Sequence, residues 1–358
     1  MSDDEFAGGA TARGGVGEVF TAFLKLGLTS FGGPIAHIGY FRRELVERRR
    51  WVGESDFAHL LALCQFLPGP ASSQLGFSLG LLRAGWIGAF AAFAAFTLPS
   101  AVLLYAFARL LPHLSSDTGT AAVHGLKLVA VAVVAQGVLG VARQLCPDRG
   151  RASIAAVAAA LILATGHPAM QVVVVALGAL SGLVFCSDAR PPVPGAGLRP
   201  PYGVGAGIAL LGAFALLLVG LPFDAEGRAG LLPVVAAFFH AGALVFGGGH
   251  VVLPLLRDAV VAPGWVSNDD FLAGYGAAQA IPGPLFTVSA FLGERLSGPW
   301  GGWVGASAAL VAIFLPGFLL VGGALPLWRS IGHTPVAARA VAGVNAAVVG
   351  LLAAALYD

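Results

Sequence analysis

The residues best suited to chemistry in this chain are two lysines set in strongly apolar sequence. Lys25 and Lys127 are the only lysines among 20 basic residues. A charge near the centre of a bilayer costs at least about 2.5–3.5 kcal/mol, so such a side chain usually faces a cavity or a partner. Every carboxylate falls in a loop, a tail or an interfacial turn, and we expect none to pair with either lysine. The pattern therefore predicts an anion site at Lys25. Snorkelling to the headgroups is the alternative, and it is favoured for Lys127 near a helix end.

Three histidines extend this candidate site, because imidazole can gain or lose its charge near neutral pH. His240 occupies the position that matches Lys25 in a second copy of the same sequence pattern. The two residues would place one permanent and one titratable cation on equivalent helices. His37 and His250 follow two Gly-rich breaks. His37, His240 and His250 are therefore the candidates for proton coupling, and the alternative is that a histidine in an apolar segment is simply hydrogen-bonded.

Two Pro-Gly-Pro sequences supply the other half of an anion site. A new helix begins after each, and a helix N-terminus offers unpaired N–H groups and a partial positive charge to an oxyanion. Hydroxyl donors lie in the first turns, and a glutamine precedes each break. The predicted substrate-binding residues are Lys25, Gln65, Gly69, Ser72, Ser73, His240, Gln279, Gly283, Thr287 and Ser289. A tight loop without a binding role is the alternative.

The breaks occur twice at nearly constant spacing, so the chain contains two copies of one unit. The motif at 31–34 returns at 246–249, and the Pro-Gly-Pro motif at 68–70 returns at 282–284. Broken helices are tolerated in membranes where the freed backbone faces protein or a wet cavity, and paired interrupted segments point to a transport site. The predicted helix breaks are Gly32, Gly33, Pro34, Pro68, Pro70, Gly247, Gly248, Gly249, Pro282 and Pro284.

Composition places most of the chain in lipid. Hydrophobic residues make up 57% and charged residues 11%, against about 25% charged residues in soluble domains. Residues 1–15 are acidic and lack a basic segment before an apolar one, so no cleaved signal peptide is expected. The net charge of +2 argues against a nucleic-acid partner. Cys64, Cys146 and Cys186 are not closely spaced, so we expect buried thiols rather than a metal site or a disulfide framework.

The apolar segments and the arginines together predict how the chain crosses the membrane. Candidate spans, each near the roughly 20 residues required, are 85–107, 124–141, 170–185, 204–221, 303–322 and 337–356. The sequence does not determine whether the shorter segment 154–165 crosses the membrane. If the four motif segments are hairpins that enter and leave on one face, the arginine clusters at 42–50 and 143–151 share the cytoplasmic side. With 154–165 included, five spans then separate the two pairs of hairpins, and three remain if 154–165 and 170–185 form a pair that does not cross. Both numbers are odd, so the second repeat is inverted.

The sequence therefore predicts an all-α polytopic membrane protein, an inverted repeat in which each half has two broken helical hairpins plus spanning helices. We expect a soluble tail at 1–15, a first repeat at 16–145, connecting helices with a Pro-rich linker at 146–229, and a second repeat at 230–358. The sequence has no paired-carboxylate, His-x-x-x-His or phosphate-loop motif. No enzyme, cofactor or metal site is predicted.

Several motifs resemble signatures of the chromate ion transporter family. They are the segments 23–44, 63–74, 96–100, 246–256 and 279–286, and the resemblance runs from about Phe20 to the C-terminus, as in the family's long, two-repeat form. It implies a multi-pass protein of the bacterial inner membrane, a secondary transporter that exports chromate and so confers chromate resistance. Sulfate is a chemically similar dianion. Inverted repeats would place the anion site near the midplane and allow alternating access.

The resemblance leaves the substrate, direction and coupling of this chain open. Uptake of sulfate or another oxyanion, a passive anion channel and, less readily, a membrane-embedded enzyme are the alternatives. The expected partners are a chromate or sulfate dianion and the lipid bilayer. A homodimer is compatible with the sequence, which does not specify the oligomeric state.

Overall fold

The computed structural model describes residues 14–114, 121–126, 128, 139, 142–143, 145–165, 170–189, 200–222, 230–245, 252–328 and 334–357. Within these ranges the regular structure is helical and there are no strands, which confirms the all-α fold class. Lys127, His250 and the predicted breaks Gly247, Gly248 and Gly249 lie outside the described residues.

The first repeat opens with a helix that two glycines interrupt. Helix α1 (Val16–Thr29) ends at Ser30, and α2 (Gly33–Phe41) begins after a left-handed turn with φ of +93° at Gly32 and +74° at Gly33. Glycine suits this backbone because it has no Cβ. Proline in the first turn of α2 is equally suited, since its missing N–H would be unpaired there in any case. The break predicted at 32–34 is therefore present.

A π-helix (Arg42–Arg48) follows α2 without interruption. Its wide turn is visible at the end, where Arg49 N donates to Glu44 O and Trp51 N donates to Leu45 O. Glu44 and Leu45 are buried by this winding, whereas the flanking arginines remain exposed or half-buried. A π-helix is rare and often marks a functional site.

The first Pro-Gly-Pro sequence forms the tip of a helical hairpin between α3 (Glu54–Phe66) and α4 (Ala71–Leu110). Helix α4 is kinked at Ala84 and Gly85, where the backbone angles are not helical, so the hairpin arm and the long segment after it are distinct. The Arg83 guanidinium lies 5.2 Å from the centre of the Trp51 ring. The chain therefore leaves this hairpin beside the point at which it entered.

Three helices follow in the described part of the middle segment, namely α5 (Arg149–Thr165), α6 (Met170–Phe185) and α7 (Val204–Gly220). Helix α5 begins one turn before the predicted apolar segment at 154–165. Both α5 and α6 pack closely on the C-terminal helix α13 (Pro335–Tyr357). Glycines allow this approach: a Cβ at Gly178 or Gly343 would collide with the facing helix.

The α-helices of the second repeat follow the order of those in the first, without a π-helix among the described residues. Its elements are α8 (Leu231–Ala243), α9 (Val252–Val260), α10 (Asn268–Ala280), a 3₁₀ turn (Leu285–Thr287), α11 (Val288–Glu294) and α12 (Gly302–Ala324). Its Pro-Gly-Pro hairpin also returns to its starting point, because Ser297 N donates to Trp265 O at 2.9 Å. One difference is that the segment after Pro284 starts as a 3₁₀ turn, whereas α4 begins directly at Ala71.

The two hairpins enter the fold from opposite ends. The segment of α4 after Gly85 starts at the base of the first hairpin and ends near the base of the second, where Arg109 pairs with Glu294 at 3.4 Å. Helix α12 starts at the base of the second hairpin and ends near Trp86, which faces Gly322. The two helices contact each other through aromatic pairs such as Phe93 and Phe314. This antiparallel arrangement is what an inverted repeat requires.

The apolar surface fits a lipid environment. Large hydrophobic side chains such as Ile87, Leu216 and Val219 are at least 70% exposed. In the described ranges two helices, Ala71–His113 and Gly302–Ala324, have the length and apolar composition needed to cross a membrane, and shorter apolar helices accompany them. Cys64 and Cys186 are buried free thiols.

Cysteine labelling tests the direction of the hairpins. In a variant without native cysteines, Arg50→Cys and Arg83→Cys should react with an impermeant maleimide from the cytoplasmic face, and Ser297→Cys should react only from the other face. The reason is that the two hairpin bases lie at opposite ends of α12 and of the α4 segment that follows Gly85. Labelling of positions 50 and 297 from one face would contradict the inverted arrangement.

Candidate functional site

The tips of the two hairpins each hydrogen-bond the opposite repeat. Gly69 N donates to Val245 O at 2.7 Å, and Gly283 N donates to Ser30 O at 2.9 Å. Val245 is the repeat counterpart of Ser30, and Gly283 is the counterpart of Gly69, so the two bonds are equivalent under the repeat. Each Pro-Gly-Pro turn is therefore held against the residues that follow α1 or α8 in the other half.

Both tips also lie opposite the middle of a long helix. A Cβ on Gly69 would stand 3.1 Å from Gly317 Cα in α12, and one on Gly283 would stand 2.6 Å from Ser100 Oγ in α4. The φ angles of +118° and +104° at the two glycines add a second requirement for a residue without a side chain. The candidate site consequently lies deep between the repeats.

His37 links the two tips. Its Nδ1 lies 3.3 Å from Ser72 Oγ in the first turn of α4, and its ring lies close to the backbone of Ser30, whose carbonyl accepts the bond from Gly283. The side chain is fully buried and stacks edge-on against Phe96. Of the predicted site residues, His37, Ser72 and Gly283 are thus brought together.

Several buried polar atoms around this link have no hydrogen-bond partner in the described structure. They are Nε2 of His37, the hydroxyls of Ser30 and Ser73, and Oε1 of Gln74. Buried polar groups are normally paired with protein or water. Their concentration near the N-terminus of α4 makes this region the candidate binding site for water or an oxyanion; it is called the pocket below.

Gln74 is a site residue that the sequence interpretation missed. Its amide nitrogen donates to Pro68 O at 2.8 Å and to Gly317 O at 3.1 Å, so it joins the first tip to α12. Gln65, which the sequence also predicts as a site residue, is exposed on α3. The available signal was that Gln74 follows Ser72 and Ser73 in the first turn of the new helix.

The second repeat is less polar at the equivalent positions. Val245, Val252, Phe286 and Val288 stand where the first repeat has Ser30, His37, Ser72 and Gln74. The predicted hydroxyls are engaged locally: Thr287 donates to Pro284 O at 2.6 Å and Ser289 to Phe286 O at 2.8 Å. Gln279 keeps a buried amide nitrogen without a partner in the described structure.

Lys25 is paired, contrary to the expectation that no carboxylate could reach it. Its Nζ lies 2.8 Å from Glu44 Oε2, and Arg48 and Arg49 bind the same carboxylate. The expectation was wrong because the π-helix turns Glu44 back against α1. Burial acts to raise the pKa of Glu44, but the hydrogen bonds from Lys25, Arg49 and Arg48 outweigh it and lower the pKa to about 2. Glu44 is therefore charged at neutral pH, and the three cations around it leave a positive excess.

His240 does not mirror Lys25 in its contacts. Its Nε2 lies 3.1 Å from Leu218 O in α7, and the side chain is buried. This contact agrees with the alternative given above for the histidines, namely that a histidine in an apolar segment is simply hydrogen-bonded. Equivalent positions in the two sequence repeats thus do not have equivalent surroundings here.

Comparison with known proteins places this architecture in a family. A family model described as chromate transporter matches residues 17–183 and 232–358. The chain is 30% identical over 344 residues to a chromate transport protein of Pseudomonas aeruginosa, covering 95% of this chain and 80% of that protein. It is 31% identical over 338 residues to a probable chromate transport protein of Synechococcus elongatus, covering 93% and 82%.

A chromate transport protein of Cupriavidus metallidurans is 29% identical over 338 residues, covering 93% of this chain and 80% of that protein. No solved structure matches the chain. The two matched ranges contain the two repeats with their Gly-rich and Pro-Gly-Pro breaks. The chain belongs to the chromate transporter family.

Proposed function

We propose that this chain is a secondary transporter that exports chromate, or a related tetrahedral dianion such as sulfate, across the bacterial inner membrane. The observation that carries the proposal is the contact of His37 with Ser72 of one tip and with Ser30, the residue that binds the other tip. A site at His37 would therefore adjoin both hairpin tips, and so both inverted repeats, as alternating access around a midplane site requires.

The pocket has the donors that an oxyanion needs. Ser72 and Ser73 lie in the first turn of α4, where the leading N–H groups of a helix have no intrahelical acceptor. Helix N-termini stabilise anions by about 0.3–2 kcal/mol. The hydroxyls and the His37 ring can donate in addition, and hydrogen bonds to a charged group contribute about 1.5–3 kcal/mol each. Several such groups together would offset the free-energy cost of removing a dianion from water. The first repeat would supply most of these donors, since the second is apolar at the matching positions.

Lys25 would act from the edge of the pocket rather than inside it. The face of α1 formed by Phe23, Leu26 and Gly27 is buried, whereas Lys25 lies on the other face beside Glu44. The excess positive charge of this cluster would attract dianions toward the protein, an effect that weakens with ionic strength. We propose the cluster as the approach route to the site.

Transport into inverted membrane vesicles tests the function. Radiolabelled chromate should accumulate against its gradient, sulfate should compete, and an imposed pH gradient should change the rate. His37→Gln keeps a hydrogen-bonding side chain but cannot titrate, so it should retain exchange while losing the response to the pH gradient. Flux that only follows the electrochemical gradient would instead indicate a channel, and absence of chromate and sulfate flux would refute the proposal.

Substitution of the tip glycines tests the position of the site. Gly69→Leu and Gly283→Leu should each reduce transport by more than about tenfold, which corresponds to about 1.4 kcal/mol, because the side chain would fill the approach between backbone and pocket. Gly298→Leu is the matched control, since Gly298 also has a positive φ of +84° but faces open space. Equal transport by all three variants at equal membrane levels would contradict the proposed site.

A double-mutant cycle separates two roles of Lys25. If Lys25 attracts the dianion, Lys25→Ala should lower transport several-fold whether or not Glu44 is present, and Glu44→Gln alone should maintain or raise it. If Lys25 only neutralises Glu44, the double variant should recover the transport of Glu44→Gln. Since the pKa of Glu44 is about 2, its charge should not contribute to pH dependence near neutrality.

A further inference from the structure

A groove on the outer face of the middle helices has no role in the site described above. It has a volume of about 410 Å³ and runs between α5 and α6, with Ala347 of α13 in its wall. Its other lining residues include Ile154, Val157, Leu161 and Leu177. Val157 is 59% and Leu177 is 45% exposed, so the groove opens away from the core of the protein.

The groove exists because α13 holds its two neighbours apart. Small residues bring α13 very close to each of them: Gly350 meets Ala155 of α5, and Gly343 meets Gly182 of α6. Helices α5 and α6 contact each other less extensively than either contacts α13. Two helices seated on a common third helix leave a furrow between them on the opposite side, and here that furrow is apolar.

One end of the groove is basic. Gly150 and Phe185, both lining residues, are adjacent at the start of α5 and the end of α6. Arg151 at this end is paired with Asp148 and Asp188. Arg149, the first residue of α5, is exposed and forms no ion pair within the described residues. Arg143 is likewise exposed and without an ion pair there, and Cys146, three residues after it, lies beside the start of α5, with its Sγ 3.7 Å from Arg151 O. The start of α5 adds the partial positive charge of a helix N-terminus.

We propose that this groove binds one acyl chain of an anionic phospholipid, whose phosphate contacts Arg149 and Arg143. An apolar furrow with exposed arginines at one end matches a lipid that has a hydrocarbon tail and a negative headgroup. Basic pockets between membrane helices on the cytoplasmic side are typical sites for such headgroups. The volume also lies within the range of specific ligand sites, about 300–1,000 Å³. The bound lipid would stabilise the α5–α6–α13 group, which is separate from the Pro-Gly-Pro site.

Native mass spectrometry of the full chain in neutral detergent provides the test. The probe is an equimolar mixture of phosphatidylglycerol and phosphatidylcholine with identical chains. Phosphatidylglycerol should be retained preferentially by the wild type, and Arg143→Gln/Arg149→Gln should weaken its binding roughly 30-fold, at about 1 kcal/mol for each basic residue. Arg43→Gln is a control for the loss of an exposed arginine, because Arg43 is exposed and does not line the groove.

A second variant tests the groove itself. Ser153 lines the groove, so the larger side chain of Ser153→Phe should fill the groove and displace both lipids. The control is Ser297→Phe, at an exposed serine that does not line the groove, and it should leave lipid binding unchanged. Equal retention of the two lipids, or unchanged phosphatidylglycerol binding in both the arginine and Ser153 variants, would overturn the proposal. A change from dimer to monomer in Ser153→Phe without a change in lipid binding would also overturn it, because a second copy of the chain would then cover the groove.

Discussion

The close approach of the two Pro-Gly-Pro tips to the opposite repeat is the constraint on which the rest of this architecture depends. Each tip donates a backbone hydrogen bond across the repeat boundary, from Gly69 to Val245 and from Gly283 to Ser30. A backbone donor can reach that depth only where no side chain intervenes, and both tips use glycine at positive φ. The flanking prolines end one helix and start the next, so polar backbone groups become available inside apolar surroundings, where protein groups must pair with them.

Pseudosymmetry in the backbone contrasts with asymmetry in the side chains. The hydrogen bonds and the glycine contacts of the two tips match under the repeat, whereas Ser30, His37 and Ser72 correspond to Val245, Val252 and Phe286. The surroundings of the first tip are thus polar, and the equivalent positions of the second repeat are apolar. In the function that we propose, the polar surroundings would bind the anion and the apolar positions would pack and move, so variants in the two repeats should differ in their effects.

The π-helix has a separate role, since it decides the electrostatics near α1. By burying Glu44 among Lys25, Arg48 and Arg49, it converts isolated cations into a cluster with a fixed geometry. A carboxylate in this position stays charged because three hydrogen-bonded cations compensate its burial. The cluster keeps a net positive charge, which is the property that an approach route for dianions needs.

The sequence alone indicated the repeats, the break at 32–34 and the two Pro-Gly-Pro hairpins, because glycine and proline act locally and leave a signal at fixed spacing. It also indicated His37 and Ser72 as separate candidates. The tertiary structure decided which side chains meet: His37 and Ser72 are 35 residues apart, and Gln74 reaches Gly317 across 243 residues. The pairing of Lys25 with Glu44 depended on the register of a π-helix, which a helical period of about 3.6 residues does not predict. Such contacts depend on how distant segments pack, and local sequence patterns carry little information about that packing.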